Sequence, residues 1–350
     1  IGAHVVHSCL KRGYTVHACL RDASDPGKTE HLVAMTRQGL PGKLVLFSAD
    51  MTQRGSYDEP FKGCCAVIHV GAPMGYAGLN GPKAIYDGTV HGTGYLIESL
   101  KKAGTIKRIV VTSSFAAIGH PAPQGYKFTE KDWATDNRGR EWDWAFENRE
   151  NPKQAGEPWY QMAKVETEKY LYRTARDDGS FDATTVCPLI VLGPLLCKAH
   201  ELVGSWQWIM ARMLRNKDCA RGWEAMWNII DVRDVAEAHV LIAESSVAKN
   251  GSRYQLSAAD DSGIMSVHQL QEHLQKLFPE INVGGAPPQM KELAKKGAPF
   301  KAPIAYCDKA REELGLKCHN IVDTLRETGE TFIKLGLIKP AYKTAAASKL

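Results

Sequence analysis

Short β-branched runs alternate along this chain with longer stretches of helical periodicity, and that alternation restricts its fold more than any other feature. Residues 15–20, 43–47, 66–70, 108–112 and 183–187 read as strands. Between them lie helical patterns over 1–12, 29–38, 82–103 and 158–176, the first stopped by Gly13. Strands separated by helices cannot pair as tight hairpins. Each returns in parallel through a crossover, and a parallel sheet buries both of its faces under helices. The expected fold class is therefore α/β, a doubly wound parallel sheet.

The rhythm breaks twice. Residues 128–159 are polar and carry Trp133, Trp142, Trp144 and Trp159. A connection this long is usually functional, so it reads as a covering loop beside a site, with a surface insertion as the alternative. After Pro188 the chain turns rich in Trp and Met, including Trp206, Trp208, Met210, Met213, Trp223, Met226 and Trp227. Such side chains suit either an adaptable wall for a bulky apolar ligand or a structural core. The expected division is a first part over 1–187 plus 228–257. A smaller, discontinuous substrate part over 188–227 plus 258–340 holds helical patterns at 267–277 and 321–335. A flexible tail covers 341–350.

Composition excludes several classes. The net charge of +5 is small for 350 residues, and the cations are interleaved with acids, so no nucleic-acid surface is expected. No apolar run reaches the length of a membrane span, and no secretory signal opens the chain. Nine Cys without a Cys-x-x-Cys pair read as reduced packing thiols. No His, Cys or carboxylate cluster shows metal-ligand spacing, so no metal is expected.

Two motifs carry chemistry. Thr112-Ser113-Ser114 closes the apolar run Ile109-Val110-Val111, and Tyr160-Gln161-Met162-Ala163-Lys164 opens a helical stretch. Positions i and i+4 share a helix face, so Tyr160 and Lys164 project together. A free phenol has a pKa of about 10, and a neighbouring ammonium lowers it by favouring the phenolate. Tyr160 could then donate a proton to a carbonyl oxygen that receives a hydride, while Ser114 hydrogen-bonds the same oxygen. Each motif alone is weak, because Tyr-x-x-x-Lys arises by chance and hydroxyl residues cap helices. Their order within an alternating strand and helix pattern gives them weight.

With these landmarks the chain resembles the extended short-chain dehydrogenases/reductases, and within them the branch of dihydroflavonol reductases and cinnamoyl-CoA reductases. The likeness also runs through Ile1-Gly2-Ala3-His4, Leu20-Arg21-Asp22, Ala49-Asp50-Met51, His69-Val70-Gly71-Ala72-Pro73, Gly193-Pro194, Asp231-Val232-Arg233-Asp234, Arg253-Tyr254 and Glu313-Leu314-Gly315. It implies a Rossmann-type fold whose first strand and leading glycines lie upstream of residue 1, with Gly2 as the last glycine of the dinucleotide turn. It implies NADP(H), with Arg21 and Lys28 on the 2′-phosphate, because two cations suit a phosphate. Asp50 and Met51 match adenine contacts. Ala72, Pro73, Thr112 and Pro188 match the path along the cofactor, and Lys164 would also hold the nicotinamide ribose with Tyr160.

The resemblance leaves the substrate open. Where dihydroflavonol reductases carry Asn, this chain has Gly119, and the cinnamoyl-CoA reductase signature is absent around Tyr160. The reading is an NADPH-dependent reductase of a medium to bulky aldehyde or ketone, with Ser114, Gly119, Trp206, Met226 and Trp227 as substrate contacts. Rival readings are a hydroxysteroid-type alcohol dehydrogenase and a non-catalytic NADP-binding sensor or scaffold. Expected partners are a small carbonyl or alcohol, with no nucleic acid and no membrane, in a monomer or homodimer. Ser348-Lys349-Leu350 matches a peroxisomal address, meaningful in a eukaryote; otherwise a cytoplasmic protein is expected.

Overall fold

The computed structural model describes residues 1–71, 82–123, 125–135, 159–198, 200, 206–217, 227–285 and 304–343. Ala72, Pro73, Trp142, Trp144, Trp223, Met226 and the terminal Ser348-Lys349-Leu350 lie outside them, as does most of the 128–159 stretch.

Helices and strands alternate as the pattern requires. The first half carries α1 (Gly2–Lys11), β1 (Thr15–Leu20), α2 (Pro26–Thr36), β2 (Lys43–Ser48), β3 (Ala66–His69), α3 (Pro82–Ala103), β4 (Arg108–Thr112), β5 (Lys127–Phe128) and α4 (Trp159–Asp178). The second half carries β6 (Asp182–Pro188), β7 (Ile190–Leu192), α5 (Trp206–Leu214), β8 (Trp227–Asp231), α6 (Val232–Glu244), β9 (Arg253–Leu256), β10 (Ile264–Met265) and α7 (Val267–Leu277). A short strand β11 (Ile304–Ala305) and helices over Asp308–Leu314 and Ile321–Lys334 follow.

Strands β3, β4, β6 and β9 form one parallel sheet in the order β3-β4-β6-β9. Strands β1 and β2 pair in parallel with each other. Strand β8 pairs with β7 in parallel and with β10 antiparallel, and β5 pairs with β11.

The pleat sorts the central strand's side chains between two layers. Ile109 and Val111 pack with Leu96, Ile97 and Leu100 of α3 and Leu171 and Ala175 of α4. Val110 points the other way, onto Val235, Ala238 and Ile242 of α6, with Val186 of β6 in the same cluster. α1 joins that second layer through Val5, against Ala236 and Val240. Ile109 and Val110 have no exposed surface. Burial of each such side chain contributes about 1.5–3 kcal/mol. Both faces are thus covered, and the loops at the carboxyl ends of the strands are left to build a site.

A separate core gathers around β7, β8 and α5. Met210, Met213 and Trp227 have no exposed surface there, and Trp206 meets Trp227 edge to face with ring centroids 5.1 Å apart. The described part of the Trp- and Met-rich region is therefore structural core. Trp227 is a packing residue rather than an accessible substrate contact, whereas Trp206 keeps part of its surface exposed.

Helix α2 begins at Pro26, three residues before the helical pattern expected at 29–38. Asp25 caps it by accepting from the Gly27 amide at 2.9 Å, and proline fits the first turn because its nitrogen needs no partner.

Candidate active site

Helix α4 presents a stripe of polar side chains at four-residue spacing, Tyr160, Lys164, Glu168 and Tyr172, and lays it across the carboxyl ends of β4 and β6. Lys164 is buried, and its Nζ donates to the main-chain carbonyl of Thr112 at 3.0 Å. The same ammonium sits 5.6 Å from the centroid of the Tyr160 ring. Burial pulls the Lys164 pKa down from its ordinary 10.5 to about 8, with Glu168 one turn along opposing the shift. Lys164 in turn adds to the burial that holds His69, at the end of β3, down to about 4.

Ser114 follows β4 directly. It caps a short 3-10 turn over Phe115–Ala117, its hydroxyl oxygen accepting from the Ala116 amide at 3.1 Å. The turn is fixed against α4, because Ala117 packs with Met162, Ala163 and Val165. The elements that carry Ser114, Tyr160 and Lys164 therefore converge at the carboxyl end of β4.

Beneath them lies a hub that the sequence reading missed. Glu168 is fully buried and pairs with Arg253 of β9 at 2.6 Å. It also accepts from the hydroxyls of Ser113, of Thr185 at 3.1 Å and of Tyr172 at 3.2 Å. The Arg253 guanidinium then donates to the carbonyls of Ala117, Glu130 and Asp132 at 3.1, 2.9 and 2.6 Å, and stacks 3.9 Å over Trp133. One cation thereby ties the segment after Ser114 to the helix that carries Tyr160. The repeat of polar residues beyond Lys164 was the available signal.

Thr112 is held from both sides of the sheet. Its hydroxyl donates to Nε2 of His239 on α6 at 2.7 Å, while Nδ1 of that ring donates to the Val235 carbonyl at 2.6 Å. Burial holds His239 at about 4, so the ring is neutral and keeps this tautomer.

The other sequence-derived positions fall as follows. Gly2 opens α1, and a Cβ there would meet only Val70 at 4.0 Å, an ordinary contact. Arg21 is exposed at the end of β1, and Lys28, in the first turn of α2, pairs in solvent with Asp25 at 3.3 Å. Asp50 shapes the turn after β2 by accepting from the amide and hydroxyl of Thr52 at 2.9 and 2.8 Å. Met51 lies against α3, where a Cβ on Gly92 would approach its Cε to 2.7 Å. Pro188 is buried at the end of β6 opposite Leu256. Gly119 lies under the Phe115 ring, which a Cβ would approach to 2.9 Å, so any side chain there would displace the aromatic group. No metal-ligand spacing is legible in the sequence, yet the fold brings the ligand atoms of His31, Cys197 and His200 within 4.8 Å of one another. The third member comes from a distant element, which local spacing could not reveal.

Among the described residues, no helix is long and apolar enough to cross a membrane. Residues 1–140 match the sequence model of the NAD dependent epimerase/dehydratase family. The chain is 27% identical over 336 residues to a cinnamoyl-CoA reductase of Medicago truncatula, covering 95% of this chain and 92% of that protein. It is 26% identical over 356 residues to a bifunctional dihydroflavonol 4-reductase/flavanone 4-reductase of Malus domestica, covering 100% and 93%. Among solved structures, it shares the fold of Gre2 from Candida albicans, crystallised with NADPH, at a TM-score of 0.74 and 23% identity over 95% of each chain. Its first 140 residues are thus similar to the NAD dependent epimerase/dehydratase family, and nearly the whole chain is similar to proteins named as reductases.

Proposed function

We propose that this chain is an NADPH-dependent reductase that converts a medium to bulky aldehyde or ketone to the alcohol. One observation carries the reading. A buried lysine, pulled down to about 8 and anchored on the carbonyl of Thr112, lies beside the Tyr160 ring, on a helix packed against the turn that Ser114 begins. The relatives add support, since those compared are named as reductases.

The described residues fit the dinucleotide. Two exposed cations, Arg21 and Lys28, flank the end of β1, where a 2′-phosphate would be gripped. Among the described residues a Cβ on Gly2 would meet only Val70, so its missing side chain suits backbone approach to a ligand at the α1 N-terminus. Asp50, Met51, Thr112 and Pro188 line the same strand ends, and Ala72 and Pro73 belong to the same set by sequence. When bound, the cofactor supplies the hydride.

The chain's own groups do the rest. The Ser114 hydroxyl donates to the substrate carbonyl oxygen and holds it at the strand end. Tyr160 delivers its proton to that oxygen as negative charge develops there. Lys164 stabilises the phenolate left behind, and its carbonyl anchor at Thr112 fixes it in reach of the ring.

Replacing Tyr160 by Phe tests the assignment. Turnover with a panel of aromatic, aliphatic and steroid carbonyls falls at least about 100-fold, the usual worth of a positioned general acid. NADPH affinity, read by fluorescence titration, stays within about threefold. A Tyr160→Phe enzyme that keeps most of its turnover refutes the mechanism.

A further inference from the structure

We propose that His31, Cys197 and His200 form a binding site for a divalent cation of the zinc class, built from α2 and the segment after β7. The three ligand atoms already lie within 4.8 Å of one another. A tetrahedral zinc ion, with bonds of about 2.0–2.3 Å, places its ligand atoms about 3.4–3.6 Å apart. Closing the difference takes side-chain movement of about 1 Å. Imidazole and thiolate donors without a carboxylate favour zinc over magnesium or calcium.

Two further observations point to a ligand. Nδ1 of His31 is buried and has no hydrogen-bond partner among the described residues. Native folds seldom leave such an atom unsatisfied, and a metal bond would use its lone pair. The two imidazole rings lie with centroids 5.1 Å apart and planes at 79°, close enough for one ion to bridge them.

The segment that supplies Cys197 and His200 is already seated. Leu196 packs with Leu10, Leu32 and Met35, and the Pro194 carbonyl accepts from the His4 ring at 2.9 Å. Three ligands on two docked elements leave a fourth position for water or another small donor. His31 stands one helical turn beyond Lys28, so a bound cation would clamp that part of α2 to the segment after β7. The inference rests on these ligands and is independent of the reductase reading.

Cobalt(II) titration of the whole protein tests it, with zinc as competitor. The expected result is one bound equivalent showing the visible bands of a four-coordinate ion and a near-ultraviolet thiolate charge-transfer band, both abolished by zinc. Cys197→Ser removes the thiolate band, and Cys197→Ser and His31→Gln each weaken binding at least about tenfold. Cys65→Ser, at an exposed thiol outside the cluster, changes neither spectrum nor affinity. With zinc about a hundredfold above its Kd, Tm of the wild type rises by about 3–5 °C, and the ligand variants show no rise. Should His31→Gln fail to fold, Cys197→Ser decides alone. Absence of a four-coordinate spectrum at millimolar cobalt, or a thiolate band that survives Cys197→Ser, overturns the proposal. Neither result depends on turnover.

Discussion

Replacing Arg253 by Met removes the cation from the centre of the site while keeping most of the side-chain volume. Arg253 is 4% exposed and its partner Glu168 is 0% exposed, so the lost charge is not replaced by solvent. Glu168 keeps the hydroxyls of Ser113, Thr185 and Tyr172 as donors but loses its counter-ion. The carbonyls of Ala117, Glu130 and Asp132 lose a donor as well. Removing one partner of a buried pair costs about 3–5 kcal/mol, most of it from the stranded charge. Adding Glu168→Gln removes that charge, so the double variant should recover about 1–3 kcal/mol relative to Arg253→Met alone. Urea unfolding followed by tryptophan fluorescence measures both, read as a shift in midpoint at constant slope. Under conditions where the variant remains folded, kcat should fall about tenfold with little change in NADPH affinity, because the segment after Ser114 loses its tie to α4. A destabilisation below about 1 kcal/mol, or a double variant as unstable as the sum of the singles, would refute the argument that the pair is one buried unit.

Two further outcomes follow from the same structure. His239 is held at about 4 against an ordinary 6.5, so as pH falls between those values the unfolded chain takes up a proton that the folded one refuses. Its contribution is intact above pH 6.5 and amounts to a loss of about 2 kcal/mol at pH 5; unfolding midpoints across that range should drop, and less steeply in His239→Asn, whereas a flat profile from pH 7 to 5 contradicts this. Gly92→Ala, which in a free helix stabilises by about 1 kcal/mol, should here destabilise by about 1–3 kcal/mol, since the new Cβ meets the Met51 carbonyl at 2.9 Å. Displacing Met51 should also weaken NADPH binding several-fold, and a rise in Tm would show that the helix absorbs the methyl group.

The alternation of strand and helix was legible because hydrophobic period reports local geometry directly. The bounds of β1, β4, α3 and α7 agree with the sequence pattern residue for residue. Apolar spacing places the start of α2 at residue 29, whereas the Asp25-Pro26 cap sets it at Pro26. Helix α6 is marked in the sequence by its N-cap Asp231, which accepts from the Arg233 amide at 2.7 Å. Tyr160 and Lys164 could be paired because they share one helix face. The Arg253 tie to Glu168 and the His239 contact to Thr112 join residues far apart in sequence, and no local pattern encodes such a meeting. Trp227 illustrates the limit of composition, since a large aromatic residue suits a ligand wall and a dry core equally until the neighbouring strand and helix are in place.

Thr112 serves as a common datum for the two layers that cover the sheet. Its main-chain oxygen fixes the lysine on one side of the sheet, and its hydroxyl fixes an imidazole on the other. Any remodelling that slides α6, even at a distance from the reacting groups, is therefore transmitted through this residue to the ammonium beside the phenol. Efforts to graft a different C-terminal half onto this framework would need to preserve that alignment, whatever new ligand they were meant to accept.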